Sequence, residues 1–319
     1  MALCSGLAST DVTARLAGSA GVELLAIDTT RLPDHLMPSL STRRMLAESV
    51  FDLRTDTGMK RNFGLLLARL LGWECAVFLD DDIDIPAPGD LATAATLVAE
   101  HSIVGLLVDG FPDNSVVRHA YRAVGGEWPA FIGGGGALAV NPAKINTFFP
   151  NVYNEDLLFL LDHQGLRPAV VSGTALQARY DPFQVGSRAR FEEFGDCVAE
   201  GVLLLHRDGR QAGDAGVDFW RGFLADRQRM IADTLAKAER RDRADQRKRM
   251  LAALLGAHEQ SGVIEPRTCV EYLIALRDDR SAWHDHNERI RGRYGRLVSG
   301  VASVPGALGL TDCARYVTA

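Results

Sequence analysis

Residues 60–85 read KRNFGLLLARLLGWECAVFLDDDIDI, and this stretch constrains the fold more than any other part of the chain. Leu65, Leu66, Ala68, Arg69 and Leu70 are good helix formers, and Gly72 stops the helix. Residues 76–79 are a short apolar run, as expected of a strand buried on both faces. Asp80, Asp81, Asp82 and Asp84 follow at once. An acidic strand end can be a solvated turn. Carboxylates at the carboxyl end of a central parallel strand instead line the crevice where open α/β sheets bind ligands. So many anions repel one another unless a cation joins them, and oxygen-rich clusters suit Mg²⁺ or Mn²⁺.

Composition sets the outer limits. The chain has 319 residues, enough for one large or two ordinary domains. Its 47% hydrophobic and 24% charged residues fit a soluble globular protein. A net charge of −6 supplies no basic field for nucleic acid. Cys4, Cys75, Cys197, Cys269 and Cys313 show neither zinc spacing nor a disulfide framework, so a reducing cytoplasm is the expected location. No run reaches the ~20 apolar residues of a membrane span. The N-terminus lacks the pattern of a signal peptide. The apolar segment 297–310 is short and broken by glycine and proline, and is expected to pack on the body of the protein.

Before the central stretch, strands are expected at 1–5 and 21–28, a helix capped by Ser9 or Thr10, and a helix near 42–49. After it come a helix opened by Gly89 and Asp90, a strand at 103–108 and a short helix at 115–124. Four consecutive glycines, Gly133 to Gly136, interrupt the apolar segment 130–140. They form either a hairpin or bulge, or a place where the backbone approaches a ligand. Asn154 is a candidate N-cap, with Glu155 and Asp156 in the first helical turn, where acidic residues are also ordinary partners of the helix dipole. A strand is expected at 168–173 and a loop at 177–189. Arg179, Arg188 and Arg190 are either surface charges or an anion clamp. A helix over 191–205 places Glu192, Glu193, Asp196 and Glu200 on its polar positions and runs into His206.

From residue 218 the chain becomes helical. Residues 218–257 read as one long pattern with a highly charged middle, and residues from 264 as an amphipathic helix pair. His284 and His286 point apart at i, i+2 and read as surface residues. The expected division is a domain over 1–217 and a helical region over 218–319. The charged helices suit solvent, or peripheral contact with an anionic membrane or another subunit.

Arg61-Asn62-x-Gly64-Leu65, a helix, and then Phe78-Leu79-Asp80-Asp81-Asp82 together resemble the centre of nucleotide-sugar-dependent glycosyltransferases of the GT-A fold, family 2-like. The Asn154-Glu155-Asp156 helix start resembles the acidic pair of their inverting members. The resemblance covers roughly residues 1–210 and implies an α/β fold with a Rossmann-like mixed sheet and a C-terminal helical appendage. Such proteins usually carry three strands before the acidic one, and only two are found here, so a first strand is expected to be missing or reorganised. The resemblance also implies a nucleotide-diphosphate sugar donor, an acceptor hydroxyl and Mn²⁺ or Mg²⁺. Asp80, Asp82 and His206 would be the metal ligands, although Asp82-x-Asp84 offers a second register. Arg61, Asp80, Asp81, Gly134 and Gly135 would line the donor site, where Arg61 would either contact the nucleotide or diphosphate or pair with the aspartates. Asp156 would take the acceptor proton if configuration inverts, with Glu155 in support, or would position the acceptor if it is retained. Two alternatives stay open. One is a degenerate GT-A-like binding or scaffold protein. The other is a nucleotidyltransferase, whose usual glycine-rich basic N-terminal loop is not found.

Overall fold

The structure is a computed structural model that describes residues 1–53, 55–111, 115–127, 136–162, 165–166, 170–240 and 244–319. It opens with β1 (Ala2–Cys4), α1 (Thr10–Ser19) and β2 (Leu24–Asp28). Ser9 caps α1, its Oγ accepting from the Val12 amide at 3.5 Å. α2 (Ser41–Ala47) and α3 (Thr57–Leu71) follow. Every α3 residue from Arg61 to Ala68 is buried, so this helix is enclosed on all sides. It ends at Gly72, whose φ of 67° is the left-handed conformation that closes a helix at little cost only for glycine.

The chain continues through β3 (Ala76–Leu79), β4 (Ile83–Asp84), α4 (Gly89–His101), β5 (Ile103–Gly110), α5 (Val116–Ala123) and β6 (Ala137–Val140). Next come α6 (Glu155–Leu160), the small pair β7 (Leu161–Asp162) and β8 (Gly165–Leu166), and β9 (Val170–Gln177). One sheet has the order β3-β6-β5-β9-β4. β6 runs antiparallel to both β3 and β5, and β5 runs parallel to β9. β3, β5 and β9 therefore point the same way and present their carboxyl ends at one edge. The register between β5 and β9 shifts near Gly105 and Leu107. There Gly173 takes φ 76°, and the Thr174 amide is satisfied by Asp90 Oδ2 at 2.9 Å. Asp90 thus bonds to β9 instead of capping α4, which has no side-chain cap.

β3 departs from expectation. It is an edge strand, its only ladder is antiparallel, and its residues are half-buried, with Leu79 45% exposed. A four-residue apolar run records that one face is covered but not how many neighbours the strand has.

The remaining elements are α7 (Arg188–Arg207), α8 (Val217–Ala238), α9 (Ala244–Gly262), α10 (Pro266–Tyr294), α11 (Val304–Leu308) and β10 (Ala314–Val317). The expected long helix is two helices that pack on each other, α8 and α9, and the expected helix pair is one helix, α10. His286 is buried against the Leu36 carbonyl at 3.0 Å and is not a surface residue. Leu297, Val304, Leu308 and Leu310 are buried, as expected.

The C-terminal region is also not wholly helical. β10 pairs antiparallel with β2, completing a sheet of order β1-β2-β10. The third strand beside β1 and β2 comes from the far end of the chain. Trp220, Tyr272 and Trp283 share one apolar cluster with Leu25, Phe63 and Phe149, so the core runs across position 217. The architecture is mixed α/β with two principal sheets. Among the described residues no helix is long and apolar enough to cross a membrane.

Candidate functional site

Three residues of the Arg61-Asn62-x-Gly64 motif fix one corner of the molecule. Gly64 lies under Phe78, where a Cβ would come within 3.2 Å of the ring, so glycine lets α3 approach β3. The Asn62 side chain donates to the Phe149 carbonyl and accepts from the Phe149 amide, both at 2.7 Å. One turn earlier, a Cβ on Gly58 would sit 2.8 Å from the Pro150 carbonyl oxygen. α3 thereby holds the segment that leads into α6. Phe149 stacks on Phe159 at 3.9 Å and meets Phe78 edge-on at 5.5 Å.

Arg61 then joins the two acidic elements. Its Nη2 donates to Asp80 Oδ1 and Oδ2 at 2.8 and 2.9 Å, and its Nη1 donates to Glu155 Oε1 at 2.7 Å. Its guanidinium carbon lies 5.5 Å from the centroid of the Phe149 ring. Burial pushes the Glu155 carboxyl up to about 7, against the pull of Arg61, and the Asp156 charge pushes the same way as burial. Asp156 is near enough to act electrostatically on both Arg61 and Glu155, and its Oδ1 accepts from the Leu157 amide at 2.8 Å. The fold therefore assembles Arg61, Asp80, Glu155 and Asp156.

The other acidic residues lie around the following turn. The Asp80 amide donates to the Gly136 carbonyl at 3.0 Å, and a Cβ on Gly136 would sit 3.4 Å from Asp80 Oδ2. Asp82 Oδ2 accepts from Gln177 Nε2 at 2.5 Å, and its carbonyl accepts from the Ala178 amide at 2.9 Å. Asp81 and Asp84 are exposed. Gly134 and Gly135 lie outside the described residues.

His206 occupies the last turn of α7, half-buried, with no hydrogen bond or ion pair to Asp80 or Asp82. Among the described residues no three His, Cys, Asp or Glu side chains lie close enough to hold a metal ion. A metal's donor set here reduces to carboxylate oxygen at the turn. Both Asp80 oxygens are bonded to Arg61, whereas Asp82 Oδ1 makes no hydrogen bond among the described residues. Beside this one carboxylate, Mg²⁺ or Mn²⁺ would need oxygens from a substrate phosphate.

The expected roles of three other groups change. Asn154 stands at the start of α6, where its carbonyl accepts from the Leu158 amide at 3.2 Å, but its side chain is engaged elsewhere. It sits at φ 61°, and its Nδ2 donates to Asp196 Oδ1 at 2.8 Å. Arg188 and Arg190 are not free for an anion, since they pair with Glu192 and Glu259.

The acidic face of α7 is buried, not solvated. Glu193, Asp196 and Glu200 surround Arg227, with each contact at 2.8 Å, and Arg118 also grips Glu200. Burial raises Glu193 to about 7 against Arg227, and Glu192 to about 7 against Arg188. Glu200 is also buried, yet Arg227 and Arg118 hold it below its ordinary value. Sequence reading missed this cluster, which reaches the acidic site through Asp196 and Asn154.

Comparisons with protein-family models, with curated proteins and with solved structures find no match to this chain.

Proposed function

We propose that the protein is a glycosyltransferase that moves a sugar from a nucleotide-diphosphate donor to an acceptor hydroxyl. The observation that carries this reading is Arg61, bonded at once to the strand-tip Asp80 and the helix-start Glu155. It makes one acidic site from two elements far apart in sequence, at the end of the sheet where β3, β5 and β9 finish.

In this reading the turn at Asp82 receives the donor diphosphate. Asp82 would hold Mn²⁺ or Mg²⁺, and a divalent ion there would supply electrostatic neutralisation of charge on the leaving diphosphate. Asp156 accepts the proton of the acceptor hydroxyl if configuration inverts, and positions the acceptor if it is retained. Glu155, pushed up to about 7, exchanges its proton near neutral pH and sets the charge beside Asp156. Arg61 is occupied by the two carboxylates, so of its two expected roles it takes the pairing with acidic residues and acts as a positioning residue.

The test is a panel of UDP- and GDP-sugars with Mn²⁺, read by release of nucleoside diphosphate and by the shift in melting temperature. Release above the protein-free rate supports the transferase. A melting shift without release leaves only a binding protein, and neither signal rejects both.

A further inference from the structure

We infer that a second small-molecule site lies between the segment around residues 35–39 and helix α10, and that it takes a phosphorylated sugar. A cavity of about 480 Å³ opens there, and none of its lining residues belongs to the acidic site. Its charged wall comes from one face of α10, where Asp285, Arg289 and Arg293 follow at intervals of four and stack along the helix.

Asp285 and Arg289 have the spacing of a helical ion pair, yet among the described residues neither makes a hydrogen bond or ion pair. Arg293 makes no such bond either and only lies over the Tyr294 ring, at 5.2 Å. Two guanidiniums one turn apart, both with free N–H groups, suit the oxygens of a phosphate.

The remaining walls select what carries that phosphate. Met37, Pro38 and Ile290 give an apolar surface for a ring face. His35 Nε2 is joined to the Tyr294 hydroxyl at 2.6 Å. Asp285, one turn from Arg289, is an acceptor for hydroxyl groups and would repel a second anion. A single phosphate at one end and a polyhydroxyl body at the other match this arrangement. A di- or tricarboxylate does not.

The whole chain is titrated calorimetrically at neutral pH with ribose 5-phosphate and, separately, with inorganic phosphate. The same titrations are run on Arg289→Ala/Arg293→Ala and on Glu155→Gln. The two arginines are exposed, so the double variant is expected to fold, and its melting curve checks this. Ribose 5-phosphate should bind saturably and more tightly than inorganic phosphate. Binding should weaken about tenfold or more in the double arginine variant, as loss of charge-assisted hydrogen bonds requires, and remain unchanged in Glu155→Gln. No saturable binding, or binding that survives loss of both arginines, overturns the site. Equal binding of the two probes overturns the sugar-phosphate assignment. Binding lost in Glu155→Gln but kept in the arginine variant would assign the ligand to the acidic site instead.

Discussion

Arg61 and Glu155 are 94 residues apart in sequence and 2.7 Å apart in space. The same guanidinium reaches Asp80 through its other nitrogen, so one buried side chain sets the distance between the end of β3 and the start of α6. Replacing Arg61 with Gln leaves the Glu155 carboxyl, only 15% exposed, without its charge partner. Unfolding in urea should show a loss of about 2–3 kcal/mol, counting Asp80 for little because its side chain is 39% exposed. Arg61→Lys should recover only part of this, since one ammonium cannot reproduce the planar fork.

The pH dependence has a definite sign. Burial raises Glu155 from 4.5 to about 7, so the folded state holds this proton more tightly than the unfolded state. Its contribution to stability is complete below pH 4.5 and is lost as pH rises through about 7. Glu192 and Glu193 act in the same window. Glu155→Gln should therefore flatten the fall in unfolding free energy across this range, measured by urea titration at a series of pH values. An unchanged slope would contradict the raised proton affinity of this carboxyl.

Asn62 makes a reciprocal pair of hydrogen bonds with the Phe149 backbone. Asn62→Ala leaves a buried amide and a buried carbonyl unsatisfied and should cost about 2–4 kcal/mol. Asn62→Asp still accepts from the amide but cannot donate to the carbonyl, so it should not restore stability. Chemical denaturation of the three proteins ranks them.

Arg227 is the centre of the carboxylate cluster on α7. Arg227→Met removes the partner of three buried acids and should destabilise by about 3–5 kcal/mol or prevent folding. Because Asp196 also holds Asn154, backbone amides of 154–157 should exchange faster in Asp196→Asn than in the parent, read by hydrogen exchange.

What sequence made legible, and what it hid, follows from the range of each interaction. The helix ending at Gly72, the apolar run before the aspartates and the strand at 24–28 are written in local pattern, and each forms. That the strand-tip aspartates and the Glu155-Asp156 helix start lie near each other is suggested only by resemblance, because no local spacing encodes the bond that joins Arg61 to Glu155 across 94 residues. The acids of α7 read as a polar face since a helical pattern shows charge but not the Arg227 that neutralises it. β10 was invisible for a similar reason. Ala314–Val317 is too short to announce itself, and its partner β2 lies at the other end of the chain. Asn154 does stand at the start of α6, but the bond of its side chain to Asp196, on another helix, has no local signature.

The most direct measurement is the rate of nucleoside diphosphate release with Mn²⁺ and the preferred nucleotide sugar, compared between the parent chain and Asp82→Asn. The substitution keeps size, its amide oxygen can still accept from Gln177, and its melting curve checks the fold. If the turn at Asp82 receives the donor diphosphate, release falls by about a hundredfold or more, on the scale of a lost electrostatic contact to the developing charge. Equal release from the two proteins, at equal melting temperature, would contradict that assignment.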